Sequence, residues 1–204
     1  VATPRRKVGR GPRLRSFLVL VEGDATEEDY LLYWRRKLRL QVQIDIPDFH
    51  GTPLSLVECA VEIKKREERE ERKRRGRMHN EYWCVFDVDT HPNLQAAIDL
   101  AAANEIELAI SNPCIELWFL LHFAEQTAYL DSSEAVRAVR PEVGSGKGVS
   151  TEVSERMSDL FGRAKERAQK LEEKHRGDGT PAPGNPSSAV WRLIDALHRR
   201  PPDA

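Results

Sequence analysis

The stretch FLVLVEGDATEEDY, residues 17–30, decides how the rest of the chain is read. Five apolar residues, Phe17 to Val21, have the run length and β-branched content of a buried strand. The run delivers a carboxylate, Glu22, and a glycine, Gly23, and then opens a segment carrying Asp24, Glu27, Glu28 and Asp29. Thr26 is placed to cap a helix, and acids in a first helical turn suit the positive end of the helix dipole. Leu31, Trp34 and Leu38 recur at the spacing of one helical face. The unit is therefore a strand, a turn and a helix, with Glu22 at the strand's carboxyl end.

The pattern repeats downstream. QVQIDI (41–46) alternates as a half-exposed strand does, and a long helix is predicted over about 53–75 with Leu54, Val57, Val61 and Ile63 on its packed face. YWCVFDVD (82–89) is a second strong strand that also ends in carboxylates, Asp87 and Asp89. A helix over 93–105, a strand over 106–111 and a helix over 114–123, apolar nearly all round, complete a β-α-β-α-β-α-β-α order. That order predicts an α/β fold with a mainly parallel central sheet and helices on both faces. The α/β core spans 17–123. Residues 124–204 add a loop, VGSGKGVS, a helix over about 151–175, a Pro/Gly loop and a last helix over about 186–199. These read as extra C-terminal helices packed on the core. Residues 1–16, with six Arg/Lys and no acid, read as a flexible basic arm.

Composition narrows the function classes. The chain has 204 residues, 40% apolar and 32% charged, with a net charge of −1. It fits one domain with elaborations, and it lacks the bulk positive field of a protein that coats nucleic acid. No apolar run approaches the length of a membrane span. Cys59, Cys84 and Cys114 sit apart in apolar settings with no CxxC spacing, which points to reduced, buried thiols in a cytoplasmic protein. The segment 64–77 holds nine basic and four acidic residues. Its Glu68/Arg72, Glu70/Arg74 and Glu71/Arg75 spacings favour intrahelical pairs, and it is either a solvated face or a surface that tracks a phosphate backbone.

In open α/β sheets, ligands bind beyond the carboxyl ends of the strands. Glu22, Asp87 and Asp89 fall at that edge, and Glu27 lies on the first helical turn beside it. Converging carboxylates repel unless a cation neutralises them, and hard oxygen ligands suit Mg²⁺ or Mn²⁺. For Glu28 and Asp29 the helix dipole is a sufficient account. Glu116 is the one acid in the apolar helix and needs either a donor partner or a metal. Asn112 is a turn former or a donor at the site. Lys147, in GSGKG, sits in a loop whose glycines let the backbone approach an anion. That loop fails the Walker A spacing because position 141 is Pro. Lys147, the arm or the long helix supplies the candidate phosphate-binding cations. His91 is an exposed turn residue or a proton carrier, and His122 reads as a core histidine. The four tryptophans read as packing residues. No GxGxxG follows the first strand, which argues against a dinucleotide enzyme.

An apolar run ending in EG and a later one ending in DxD resemble the TOPRIM domain. VEGDATEEDY is similar to the form found in overcoming-lysogenization-defect nucleases, although His91 stands where topoisomerase-type members often carry a third aspartate. SNPCIELWFLLHF (111–123) and NPSSAVWRLIDAL (185–197) resemble the RloB family, so the likeness spans about 17–199. The resemblance implies a TOPRIM-like fold and a Mg²⁺- or Mn²⁺-dependent nuclease of a phage-defence system. On that likeness Glu22, Glu27, Asp87 and Asp89 hold metal, and Glu116 and Lys147, singled out above by their own settings, are further catalytic candidates. It also implies an RNA substrate such as tRNA, or DNA, and a controlling ATPase partner, and it leaves a homo-oligomer open. The alternative is a non-catalytic TOPRIM-like module that binds a defence partner or a nucleotide signal.

Overall fold

The computed structural model describes residues 14–23, 25–88, 93–146 and 148–199. Five strands form one sheet in the order β2-β1-β3-β4-β5. These are β1 (Arg15–Val21), β2 (Val42–Asp45), β3 (Glu81–Asp87), β4 (Glu107–Asn112) and β5 (Ser187–Ser188). The first four are mutually parallel, and β5 pairs antiparallel to β4. The architecture is α/β and consistent with a TOPRIM-like fold.

Period-two alternation sends the strand side chains into two cores. Leu18, Leu20, Cys84 and Phe86 pack under α2 (Pro53–Arg72) and α3 (Leu94–Ala103). Phe17, Val19, Val21 and Val85 pack on the opposite face, under α1 (Thr26–Lys37) and α4 (Ile115–Phe123). α5 (Ser132–Val143), α6 (Thr151–Asp159), α7 (Phe161–Gly177) and α8 (Val190–His198) extend this second core. α4 is buried on nearly every side, as its composition requires. Cys84 and Cys114 are buried, Cys59 is half-buried, and all three are free thiols. Trp34, Trp83 and Trp118 are buried, and Trp191 packs against the second core.

Several local expectations are corrected. Thr26 is the first helical residue, and the N-cap position before it is Ala25, whose side chain has no acceptor to cap α1. The carboxylate of Glu27 takes that role instead, accepting from its own N–H and from that of Gly23. On the packed face of α2, Leu56 and Ala60 are buried beside Val57 and Val61, while Leu54 and Ile63 are only partly covered. α2 closes at Arg72, and Arg74 adopts φ 58°, so Glu70 pairs with Lys73 at 3.6 Å rather than with Arg74. Glu68 and Arg72 do pair, at 3.6 Å. The helix expected over 151–175 is two helices, because the chain turns at Leu160 and sends Phe161 inward against Trp34 and Trp118. α5 and β5 were not anticipated. α5 is opened by a capping box in which Asp131 and Glu134 satisfy each other's N–H groups.

Among the described residues, no helix is long and apolar enough to cross a membrane.

Candidate functional site

The carboxyl edge of the parallel sheet gathers acids from the ends of three neighbouring strands, β1, β3 and β4. Glu22 follows β1. Its backbone N–H donates to Val85 O at 3.1 Å, and its Oε2 accepts from the N–H of Asp87, also at 3.1 Å. The end of β1 is thereby stitched to the end of β3. Asp87 is the last residue of β3 and is half-buried. The N–H of Ile115, at the opening of α4, donates to its carboxylate. Glu116, in the first turn of α4, stands close enough for its charge to act on both Asp87 and Glu27.

Glu27 is the most buried of these acids, 7% exposed. Gly23 explains how it fits. A Cβ on Gly23 would collide with the Glu27 carboxylate and lie 2.8 Å from its Cδ. The EG pair therefore works as a unit, with Glu22 supplying an acid and Gly23 making room for another.

This crowding shifts protonation. Burial, then the charges of Glu27 and Glu116, push Asp87 up to about 9, against the lowering effect of the Ile115 N–H. Burial, with Glu116 and Glu22, also raises Glu27. Cys114 is raised by burial and by the nearby Glu116 and Asp87. At neutral pH, Asp87 keeps its proton unless a cation takes the proton's place.

A buried hydrogen bond fixes the distance between the two helices that carry these acids. Trp118 Nε1 in α4 donates to Tyr30 Oη in α1 at 3.0 Å. Glu27 lies one helical turn before Tyr30, and Ile115, whose N–H serves Asp87, lies one turn before Trp118, so this bond sets the spacing between the openings of α1 and α4.

A cavity of about 220 Å³ opens beside Glu116 and is also lined by Thr26, Arg140, Gly144 and Gly148. Arg140 is exposed and has no side-chain partner among the described residues. The sequence reading missed it because it lies in the unanticipated α5. Asp29 also has a role beyond the helix dipole. Its Oδ2 accepts from Val149 N at 3.2 Å, beside Gly148 at φ +80°, and so ties the glycine loop to α1.

The remaining candidates separate. Asp89, His91 and Lys147 lie outside the described residues. Asn112 is a strut: its Nδ2 donates to Pro183 O at 2.8 Å, and its Oδ1 accepts from Asn185 at 3.1 Å. His122 is fully buried, its Nδ1 is 2.9 Å from Trp118 O, and burial lowers it to about 4, as a neutral core histidine requires. The basic end of α2 is not near the acids. α2 starts after the carboxyl end of β2 and runs back toward the start of β3, so its cations lie at the opposite sheet edge. A helix of 20 residues spans about 30 Å.

The donor set fits a small hard cation. All four groups are carboxylates, and Asp87 holds a proton that a cation would displace. As the side chains stand, no three His, Cys, Asp or Glu among the described residues close around one point. Binding would require rotation of side chains already at this edge.

A parallel α/β sheet with acids clustered at its carboxyl edge defines the class. Within it the chain belongs to the RloB-like protein family, whose model matches residues 17–197. No curated protein and no solved structure matches the chain.

Proposed function

We propose that the protein is a metal-dependent phosphodiesterase that cuts nucleic acid. The carrying observation is the gathering of Glu22, Glu27, Asp87 and Glu116 at the carboxyl edge, where burial and then the charges of Glu27 and Glu116 push Asp87 up to about 9. Carboxylates brought together at a partly buried edge favour a cation that neutralises them. Glu22, Glu27 and Asp87, with Asp89, would hold Mg²⁺ or Mn²⁺. When bound, the cation would lower the pKa of a coordinated water and offset charge on the phosphate oxygens. The chain's own residues do the rest. Asp87 gives up its proton on loading. Glu116 is the remaining carboxylate within reach and serves as proton acceptor for the attacking water. Arg140, which lines the cavity beside Glu116, would balance the charge of the substrate phosphate, and Lys147 is the further candidate for that role. RNA such as tRNA, or DNA, is the substrate class. A cutting activity of this kind in a phage-defence setting calls for restraint by a partner ATPase.

Calorimetry with Mg²⁺ and Mn²⁺ on the wild type and on Asp87→Ala, with cleavage of pooled tRNA and DNA in parallel, tests this. Metal binding and cleavage should both disappear in the variant. A folded wild type that binds neither ion would overturn the catalytic reading. It would favour a second reading, a non-catalytic module that binds a defence partner or nucleotide signal. The absence of a closed three-ligand group among the described residues is the observation on that side.

A further inference from the structure

A second cavity lies away from the carboxylate cluster. It measures about 410 Å³, a ligand-sized volume, and sits where α3, β4, α7, β5 and α8 meet. Its floor is apolar: Ile98, Leu108, Ile110, Ala182 and Pro183. α2 and α3 leave Leu108 and Ile110 only partly covered.

The polar groups around this floor are incompletely used. Ser187 is 7% exposed, and its hydroxyl has no hydrogen-bond partner among the described residues. His175 is 9% exposed, with Nε2 turned to Pro186 O at 2.9 Å. A nitrogen facing a carbonyl carries the proton, so the neutral ring offers Nδ1 as an acceptor to an N–H or O–H. Arg176 is exposed and makes no ion pair among the described residues. Arg192 meets Glu172 at 2.8 Å, yet its side chain is still 51% exposed. α8 opens at this cavity through Ser187, Ser188 and Ala189, with no side-chain cap on Ala189. A helix start beside the unpaired Arg176 and the partly exposed Arg192 favours an anion, and the buried Ser187 hydroxyl and the remaining ring nitrogen of His175 are left to hydrogen-bond a ligand.

We propose that this cavity binds a nucleoside monophosphate or a similar aromatic phosphomonoester. The ring lies on the apolar floor, with a donor to His175 Nδ1. The phosphate lies toward Arg176, Arg192, Ser187 and the start of α8. The site is separate from the carboxylate edge but joined to it. Ser188, at the cavity, is 3.0 Å from Ser111 through their hydroxyls, and Ser111 is the register partner of Asp87.

Calorimetry in chelator, with adenosine monophosphate, adenosine, inorganic phosphate and phenyl phosphate as probes, tests the proposal. The monophosphate should bind about tenfold or more tightly than adenosine or phosphate alone. Arg176→Ala, a substitution at an exposed unpaired residue, should weaken it about tenfold. Ala182→Trp, at an exposed lining position, should abolish it, and Asp87→Asn should leave it intact. No saturable binding of either phosphomonoester would overturn the proposal. So would binding that survives both cavity variants, or binding that vanishes in Asp87→Asn.

Discussion

Asp87→Asn should make the metal-free protein more stable at neutral pH, although it removes a charged group from the proposed site. The wild-type carboxyl rises from its ordinary 3.8 to about 9 on folding. The native state therefore holds a proton that the unfolded chain releases. Stability linked to this group is complete below about pH 4 and is lost as pH rises toward about 9. Each pH unit in that window is worth about 1.4 kcal/mol, so by pH 7 the ceiling is about 4 kcal/mol. Side-chain rotation and water entry reduce it to about 2–4 kcal/mol. Asparagine keeps the shape without the charge. It should raise Tm by about 5–10 °C at pH 7 and leave it nearly unchanged at pH 4. Mg²⁺ should reverse the comparison. It should stabilise the wild type more at pH 8 than at pH 6, because at the lower pH it must displace the proton, and it should do little for the variant. Thermal melts of both proteins from pH 4 to 9, with Mg²⁺ and with chelator, give the answer. Parallel pH curves for the two proteins in chelator would refute the crowding argument.

Gly23→Ala should lower metal affinity by tenfold or more in calorimetry, since the new Cβ takes the space of the Glu27 carboxylate. Wild-type affinity in this variant would show that Glu27 is no ligand. Tyr30→Phe leaves Trp118 Nε1 without its acceptor and should cost about 1–3 kcal/mol in denaturant unfolding, with a matching loss of metal affinity as α1 and α4 lose their fixed spacing. Arg140→Ala should weaken cleavage through KM for nucleic acid while metal binding stays unchanged. Glu67 anchors the opposite edge, accepting from Tyr82 Oη at 2.6 Å and from His79 N at 3.0 Å. Burial works against its ionised form, but these bonds and the His79 charge outweigh it and hold its folded pKa below 4.5. Its stabilisation is present above that value and lost as pH falls through the folded pKa, so Glu67→Gln should flatten the acid limb of the stability curve.

The core sheet was legible because its strands announce themselves. Phe17–Val21 and Tyr82–Phe86 are uninterrupted apolar runs, and their buried, parallel placement follows from the helices between them. The acids Glu22 and Asp87 could be located for the same reason, since each ends such a run. The C-terminal third was harder. α5 is a short helix of alternating small and charged residues with Pro141 inside it, and its one clear signal was the Asp131/Glu134 spacing. Missing α5 meant missing Arg140. The split at Leu160 is marked in the sequence only by Gly162, a residue that helices also tolerate in their interiors. It is imposed by the aromatic cluster that draws Phe161 inward, a tertiary effect that periodicity does not carry. The burial of Glu27 over Gly23 could not be read from spacing alone, because it depends on how tightly the turn folds back.

The two sequence strings that carry the family likeness lie about seventy residues apart, and the fold shows why both matter to one edge. Asn112 and Asn185 bond each other directly, and Asn185 also fixes both the N–H and the carbonyl of Leu130. Ser111 and Ser188 meet through buried hydroxyls while β5 zips antiparallel onto β4. β4 would otherwise end the sheet with its carboxyl-edge backbone exposed. Asp87 lies one strand inward, with Ser111 as its register partner, and the next N–H, of Val88, donates to Ser111 O at 2.7 Å. The distant C-terminal segment therefore holds Ser111, which braces β3 just where Asp87 emerges. A carboxyl raised to about 9 by burial and by the charges of its neighbours needs such bracing, because a looser edge would admit water and let the acids move apart. The crowding at Asp87 and the closure of β4 by β5 are thus two aspects of one construction, in which the C-terminal elaboration keeps the acids close enough to need a cation.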